Sequence, residues 1–296
     1  MKKRLGPIAV LAAGTFWGSM GVFVRHFNAV GLGSMEIAWL RMLFGLLFVG
    51  LYLGLKHREL LKIRLNDLWC FLGTGLGSLF LLNLTYYTAM RYTSLAVAGV
   101  LLYTAPIFVM LLSALLFHEA ITGKKVLALV LAFAGCALVS GIGSDSQVSL
   151  LGLLWGLGAG ITYALYSIFG RFVIDRGYGT WTMTFWSFVC CFLASTFFCD
   201  WQLIGPVWVQ PGELAWAAAM GLTTGFLSYV LYGFGLEAME GSRASILASI
   251  EPVVAALFSV LLFHEPMGPG GIIGMILVLA AIAVLSFHSN NKRSRL

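Results

Sequence analysis

Glu251 is the residue whose setting most invites chemistry. It stands in Ile250-Glu251-Pro252-Val253, within a stretch from 242 to 263 whose only other charge is Arg243. A charge near the centre of a bilayer costs at least about 2.5–3.5 kcal/mol, so it needs a partner or a wet cavity. The adjacent proline removes a backbone hydrogen bond and leaves a carbonyl free to face such a cavity. Two roles fit Glu251: a proton or cation site, or a structural carboxylate bonded to neighbouring helices. Arg41 is a second charge inside an apolar run. It is placed to bind a substrate carboxylate, to pair with Glu36, or to extend its head to the outer face. The Glu36 spacing is a poor helical match, because helix neighbours sit three or four residues apart. Asn83, Tyr86, Tyr87 and Met90 fall on one helical face, and Ser228, Tyr229 and Tyr232 form a second polar-aromatic face. With Trp17, Tyr103 and Tyr163 they are candidate contacts for a small molecule. Helix packing and interfacial aromatic belts are the plainer alternative.

Other motifs exclude chemistry. His118-Glu119 and His264-Glu265 each end an apolar run. One His beside one Glu cannot complete a metal or catalytic set, whereas Glu just before a new helix suits that helix's positive N-terminus. The cysteines Cys70, Cys136, Cys190, Cys191 and Cys199 show no zinc or redox spacing. No phosphate-cradling G-x-x-x-x-G-K-S/T run occurs, which argues against direct ATP use. The expectation is therefore no metal, no cofactor and no enzyme, since a membrane-embedded enzyme needs a clustered nucleophile or metal set.

The elements that must carry these residues are set by composition. The chain is 60% hydrophobic and only 10% charged, against about a quarter charged in a soluble domain. Its apolar blocks are long enough to cross a bilayer as helices. The alternating pattern of a membrane β-barrel is absent. Ten transmembrane helices are expected near 6–27, 35–55, 67–90, 94–117, 124–142, 150–172, 181–200, 213–237, 242–263 and 270–288. Of the 18 Lys and Arg, Arg25 and Arg91 fall on one side, Arg41 falls within a helix and the rest fall on the other side. The positive-inside rule then places both termini in the cytoplasm. The net charge of +6 is spread between apolar blocks, so it builds no stripe for nucleic acid.

Shifting the chain by 146 residues superimposes it on itself without a gap. Leu115-Leu116-Phe117-His118-Glu119 meets Leu261-Leu262-Phe263-His264-Glu265, Pro106 meets Pro252, Tyr86 meets Tyr232, and Arg25 meets Arg171. Two repeats, 1–146 and 147–296, follow. Each holds five spans, an odd number, so the second enters the membrane inverted. Inverted repeats mark secondary transporters, because two equivalent halves can exchange roles at similar energy. The symmetry fails at Glu251 against Ala105 and at Arg41 against Ser187.

These motifs carry a resemblance. Phe16-Trp17-Gly18-Ser19, Leu40-Arg41-Met42, Tyr86-Tyr87-Thr88-Ala89-Met90-Arg91-Tyr92-Thr93, Tyr103-Thr104-Ala105-Pro106 and the two His-Glu helix ends together resemble the drug/metabolite transporter superfamily, in particular its EamA-type ten-helix members. His118 and His264 depart from it, standing where the family often has glycine. The resemblance implies transport of small solutes such as amino acids across the inner (plasma) membrane, with export favoured and drug or other organic-solute efflux as the alternative. A channel or a lipid-handling protein are further rivals. A small-molecule substrate and the bilayer are the expected partners, and a homodimer is left open.

Overall fold

The structure, a computed structural model, describes residues 2–141 and 149–286. Met1, the expected boundary between residues 146 and 147, and the Lys292, Arg293 and Arg295 cluster lie outside the described residues. Helices follow one another along the chain: α1 (Lys2–Gly18), α2 (Met20–Val30), α3 (Ser34–Lys56), α4 (Leu68–Leu72), α5 (Leu81–Tyr92), α6 (Leu95–Leu102), α7 (Ala105–Phe117) and α8 (Gly123–Val139). The second half adds α9 (Leu150–Asp175), α10 (Thr180–Thr196), α11 (Trp201–Val209), α12 (Pro211–Met220), α13 (Ser228–Ala238), α14 (Gly241–Ala248), α15 (Glu251–Phe263) and α16 (Pro269–Ser286). Wide π-helical turns, Gly73–Phe80 and Gly221–Leu227, join α4 to α5 and α12 to α13.

The chain is an all-α integral membrane protein. Among the described residues, eight helical stretches are long and apolar enough to span a bilayer, from Leu5–Val30 to Pro269–Ser286. The fifth expected span is the 17-residue α8. The seventh, expected over 181–200, is the 17-residue α10; just beyond it α11 turns away at a bend of 118°, and counting the pair as one span gives nine among the described residues. Asp200 makes that bend. Its carboxylate accepts from Gln202 N at 2.9 Å and starts α11, while its own N–H donates to Glu36 Oε1 at 2.8 Å.

The repeat is visible in the element boundaries. α3, α6, α7 and α8 begin at 34, 95, 105 and 123, and α10, α14, α15 and α16 begin 146 residues later at 180, 241, 251 and 269. His118 and His264 both take the left-handed conformation, at φ 54° and 55°. Both halves also break a helix at the matching place, between α6 and α7 and between α14 and α15. Pro106 and Pro252 lie in the first turn after each break, where a missing N–H costs nothing.

Glycines let the breaks be packed closely. A Cβ at Gly14 would lie 2.5 Å from Ile250 Cγ2, and one at Gly18 would lie 2.7 Å from the Glu251 carbonyl oxygen. Gly160, the repeat mate of Gly14, does the same for the first half: a Cβ there would lie 2.3 Å from Thr104 Oγ1. Thus α1 seats the break before Glu251, and α9 seats the break before Ala105, as small-residue stripes do in membrane helices.

The two ends of the bundle are distinguishable by contact. At one end, Gly6 packs on Ala238 and Arg243 donates to the Leu285 carbonyl at 2.8 Å; we call this the terminus-bearing end. At the opposite end Ser149 Oγ donates to the Tyr92 carbonyl at 2.7 Å and His26 bonds Glu213 at 2.8 Å.

Candidate functional site

Glu251 is the first residue of α15, so the helix break carries it to the middle of the bundle. Its carboxylate accepts a hydrogen bond from the Tyr163 hydroxyl at 3.2 Å. It forms the floor of a cavity of about 500 Å³ that reaches Asn28, Ser34 and Leu95 at the opposite end. That volume suits a small organic molecule.

The cavity gathers most of the residues singled out from the sequence. Trp17, Arg41, Asn83, Tyr86, Tyr103, Tyr163 and Glu251 all line it, and so do Tyr87, Met90 and Tyr229. The face Asn83-Tyr86-Tyr87-Met90 therefore points into one space. Trp17 meets Tyr163 edge-on with ring centroids 6.3 Å apart, and Tyr229 at 5.1 Å. Asn83 uses its amide to donate to the Leu79 carbonyl at 2.9 Å, which fixes the side chain on its own helix.

Tyr232 lies elsewhere. It packs behind Trp17 at 5.2 Å, and its hydroxyl pairs with Ser167 Oγ at 2.7 Å. With Tyr103, Tyr163, Ser245 and Ser249 it encloses a pocket of only about 20 Å³ on the terminus-bearing side of Glu251. That is room for about one water molecule. The pathway is thus wide on one side of Glu251 and shut on the other.

Among the described residues Arg41 does not pair with Glu36: Glu36 accepts from Asp200 N, and Arg41 Nη1 approaches Met20 Sδ at 4.0 Å. Buried donors without a hydrogen-bond partner among the described residues include Arg41 Nε and Trp17 Nε1, both on cavity-lining side chains. Buried donors are expected to be satisfied, so this site holds unspent hydrogen-bonding capacity for an acceptor group.

The shut end is held by polar contacts that the sequence did not announce. Glu119 accepts from Gly241 N at 2.9 Å, Ser242 N at 3.3 Å and Ser242 Oγ. The carboxylate does serve a helix N-terminus, but that of α14, across the repeat boundary, and not that of α8, which follows it in the chain. Lys125 stands 3.9 Å from Glu119 and 2.7 Å from Glu240. Glu237 accepts from Thr180 N and Thr180 Oγ1 at 2.7 Å, and Asp67 pairs with Arg176 and with the Tyr178 hydroxyl. Among the described residues, no group of three or more His, Cys, Asp or Glu is arranged to hold a metal ion.

A sequence profile of the EamA-like transporter family matches the chain twice, over residues 4–141 and 150–287. The chain belongs to that family. An uncharacterized transporter of Archaeoglobus fulgidus is 27% identical over 285 residues, covering 95% of this chain and 96% of its own. The uncharacterized inner membrane transporter YicL of Salmonella typhimurium is 26% identical, covering 98% of this chain and 97% of its own. A solved crystal structure superimposes with a TM-score of 0.80 at 18% identity, over 98% of this chain and 99% of that one, and so shows the same fold. A multi-pass membrane transporter is the statement these findings carry.

Proposed function

We propose that this EamA-family transporter moves small zwitterionic metabolites such as amino acids out of the cell by alternating access, with both termini in the cytoplasm of an inner-membrane protein. One observation carries the reading: a single aromatic-walled cavity presents a carboxylate, Glu251, and a guanidinium with an unpaired donor, Arg41. An ammonium group suits the first and a carboxylate the second, and aromatic faces attract the ammonium as well. Trp17, Asn83, Tyr86, Tyr103 and Tyr163 are its proposed contacts, and Tyr232 supports Trp17 from behind. Domains are taken as 1–146 and 147–296. No chemistry is performed on the solute, so the protein is read as a transporter and not an enzyme.

Glu251 also suits proton coupling, because it is the one carboxylate among the described residues that line the cavity. Purified protein in liposomes should show saturable counterflow of an amino acid, driven further by an imposed pH gradient. Glu251→Gln should abolish the pH-driven part. Unchanged pH-driven flux in that variant would remove the coupling role, and absence of counterflow for every zwitterion tried would remove the substrate class.

A further inference from the structure

We infer that Glu119 and Glu265 are paired, exchangeable latches that decide which end of the pathway is shut. They are positioning residues, acting through the broken helices α14 and α6 and not on the solute. The inference rests on the alternating-access reading above.

The argument starts from an asymmetry between repeat mates. Glu119 and Glu265 occupy equivalent positions, each just after a left-handed histidine. Glu119 is nearly buried, with its side chain 8% exposed, and caps the N-terminus of α14 through Gly241 and Ser242. A carboxylate on free N–H groups at a helix start is strongly favoured. The bond ties the end of α7 to the helix that ends at the Glu251 break, and this is the end where the pathway is closed. Glu265, by contrast, is 46% exposed and rests on Arg25 at 2.6 Å and on Ser259. The repeat mates of Gly241 and Ser242 are Leu95 and Ala96, the first residues of α6. Leu95 lines the open cavity and is 66% exposed. One latch is shut and its mate is parked.

Repeat symmetry supplies the other state. Exchange of the two halves brings Glu265 onto Leu95 N and Ala96 N and closes the Asn28–Ser34 end. Glu119 then leaves α14 and parks on Arg171, the repeat mate of Arg25, which in the present state holds Asp175 at 3.0 Å. The two latches are unequal. Ser242 gives Glu119 a hydroxyl donor and Lys125 gives it a nearby cation, whereas Ala96 and Gly271 occupy the matching places. The present state, open at the cavity end, is the one this inequality favours.

The test uses full-length protein in detergent, with Ser245→Cys reporting the shut end and Ser34→Cys reporting the cavity end. Labelling by a water-soluble maleimide is counted over that of the parent chain's own cysteines. Glu119→Gln and Arg25→Gln should raise Ser245→Cys labelling at least fivefold and lower Ser34→Cys labelling. Glu265→Gln and Arg171→Gln should do the reverse. Ala96→Ser, which supplies the missing hydroxyl without deleting any contact, should act as Glu119→Gln does and keeps the test open if that variant does not fold. A purely structural role predicts no opposed signs. Shifts in the same direction for Glu119→Gln and Glu265→Gln, or none in either, overturn the latches. Loss of solute flux in the parent chain with the opposed labelling intact would instead count against the transported class alone.

Discussion

At the residue scale, the cavity reads as two charges held apart by rings. Among the described residues Arg41 reaches the cavity with Nε unbonded, so its side chain is available to a substrate. Replacing it with Gln should weaken binding of a carboxylate-bearing solute by about 1.5–3 kcal/mol, the worth of a hydrogen bond to a charged group, or about tenfold to a hundredfold in Kd. An amide analogue of the same solute should lose far less. Calorimetric titration of both ligands checks this, and equal losses would place Arg41 outside the binding contacts. Glu265 gives a pH prediction. The Ser259 hydroxyl and then the Arg25 guanidinium hold its carboxyl below the usual carboxylate range. Because the folded value is the lower one, its stabilising effect is present above the unfolded range and is lost as pH falls through the folded value. The difference in Tm between the parent and Glu265→Gln should therefore be widest near neutrality and close in acid. A difference that persists in acid would show that the effect is not that of the ionised carboxyl. The sequence exposed Glu251 and Arg41, because a charge in an apolar run is visible at once. It concealed the partner of Glu119, since Gly241 and Ser242 lie 122 and 123 residues away and no local pattern encodes that meeting. It did not say that Tyr232 would line the small pocket beyond Glu251 and not the open cavity, because a shared helical face does not give depth along the pathway.

At the scale of elements, the breaks are the features that build the site. The break at Ser249 and Ile250 makes Glu251 the first residue of a new helix. The sequence predicts continuous spans over 94–117 and 242–263 and a freed carbonyl at Pro252; that Pro106 and Pro252 each open a new helix is seen only in the fold. Nothing in the sequence says that Gly14, Gly18 and Gly160 meet these breaks, because each contact joins distant parts of the chain. Their close approaches give a stability prediction. Gly14→Ala should cost about 1–3 kcal/mol through overpacking against Ile250. Gly54 has nothing within 4 Å of an added Cβ, so Gly54→Ala should be neutral or gain up to about 1 kcal/mol from helix propensity. Thermal unfolding of the two variants in detergent checks the contrast. A similar Tm for both would mean that α1 does not seat tightly on the break. The helix α11 beyond Asp200 was not legible, since residues 201–209 fall between two expected spans and the hydrogen bond from Asp200 to Glu36 joins distant parts of the chain.

At the scale of the whole molecule, an internal repeat with an odd number of spans carries an inversion with it. The equivalence of helix starts 146 residues apart makes both halves variants of one architecture, and the family profile matches each half in turn. Two halves of the same build can support a pathway shut at either end, and the present structure holds it open toward Asn28 and Ser34. Whether that end faces out follows from charge. Arg58, Lys62, Arg64, Lys124, Lys125, Arg176 and Arg243 belong to the terminus-bearing end, and Arg25 and Arg91 to the other. Basic loops are retained on the cytoplasmic side during insertion. A cysteine in place of Ser149, next to Tyr92, should therefore react with an impermeant maleimide added to intact cells, and one in place of Glu59 should react only after the membrane is permeabilised. Glu59 is a sound probe position, because it lies on an exposed 3₁₀ turn between two spans. The reverse labelling pattern would turn the cavity toward the cytoplasm and overturn the proposed orientation. The labelling thus tests which face the open cavity meets, whereas the direction of net flux follows from the solute and proton gradients and is read from transport in liposomes.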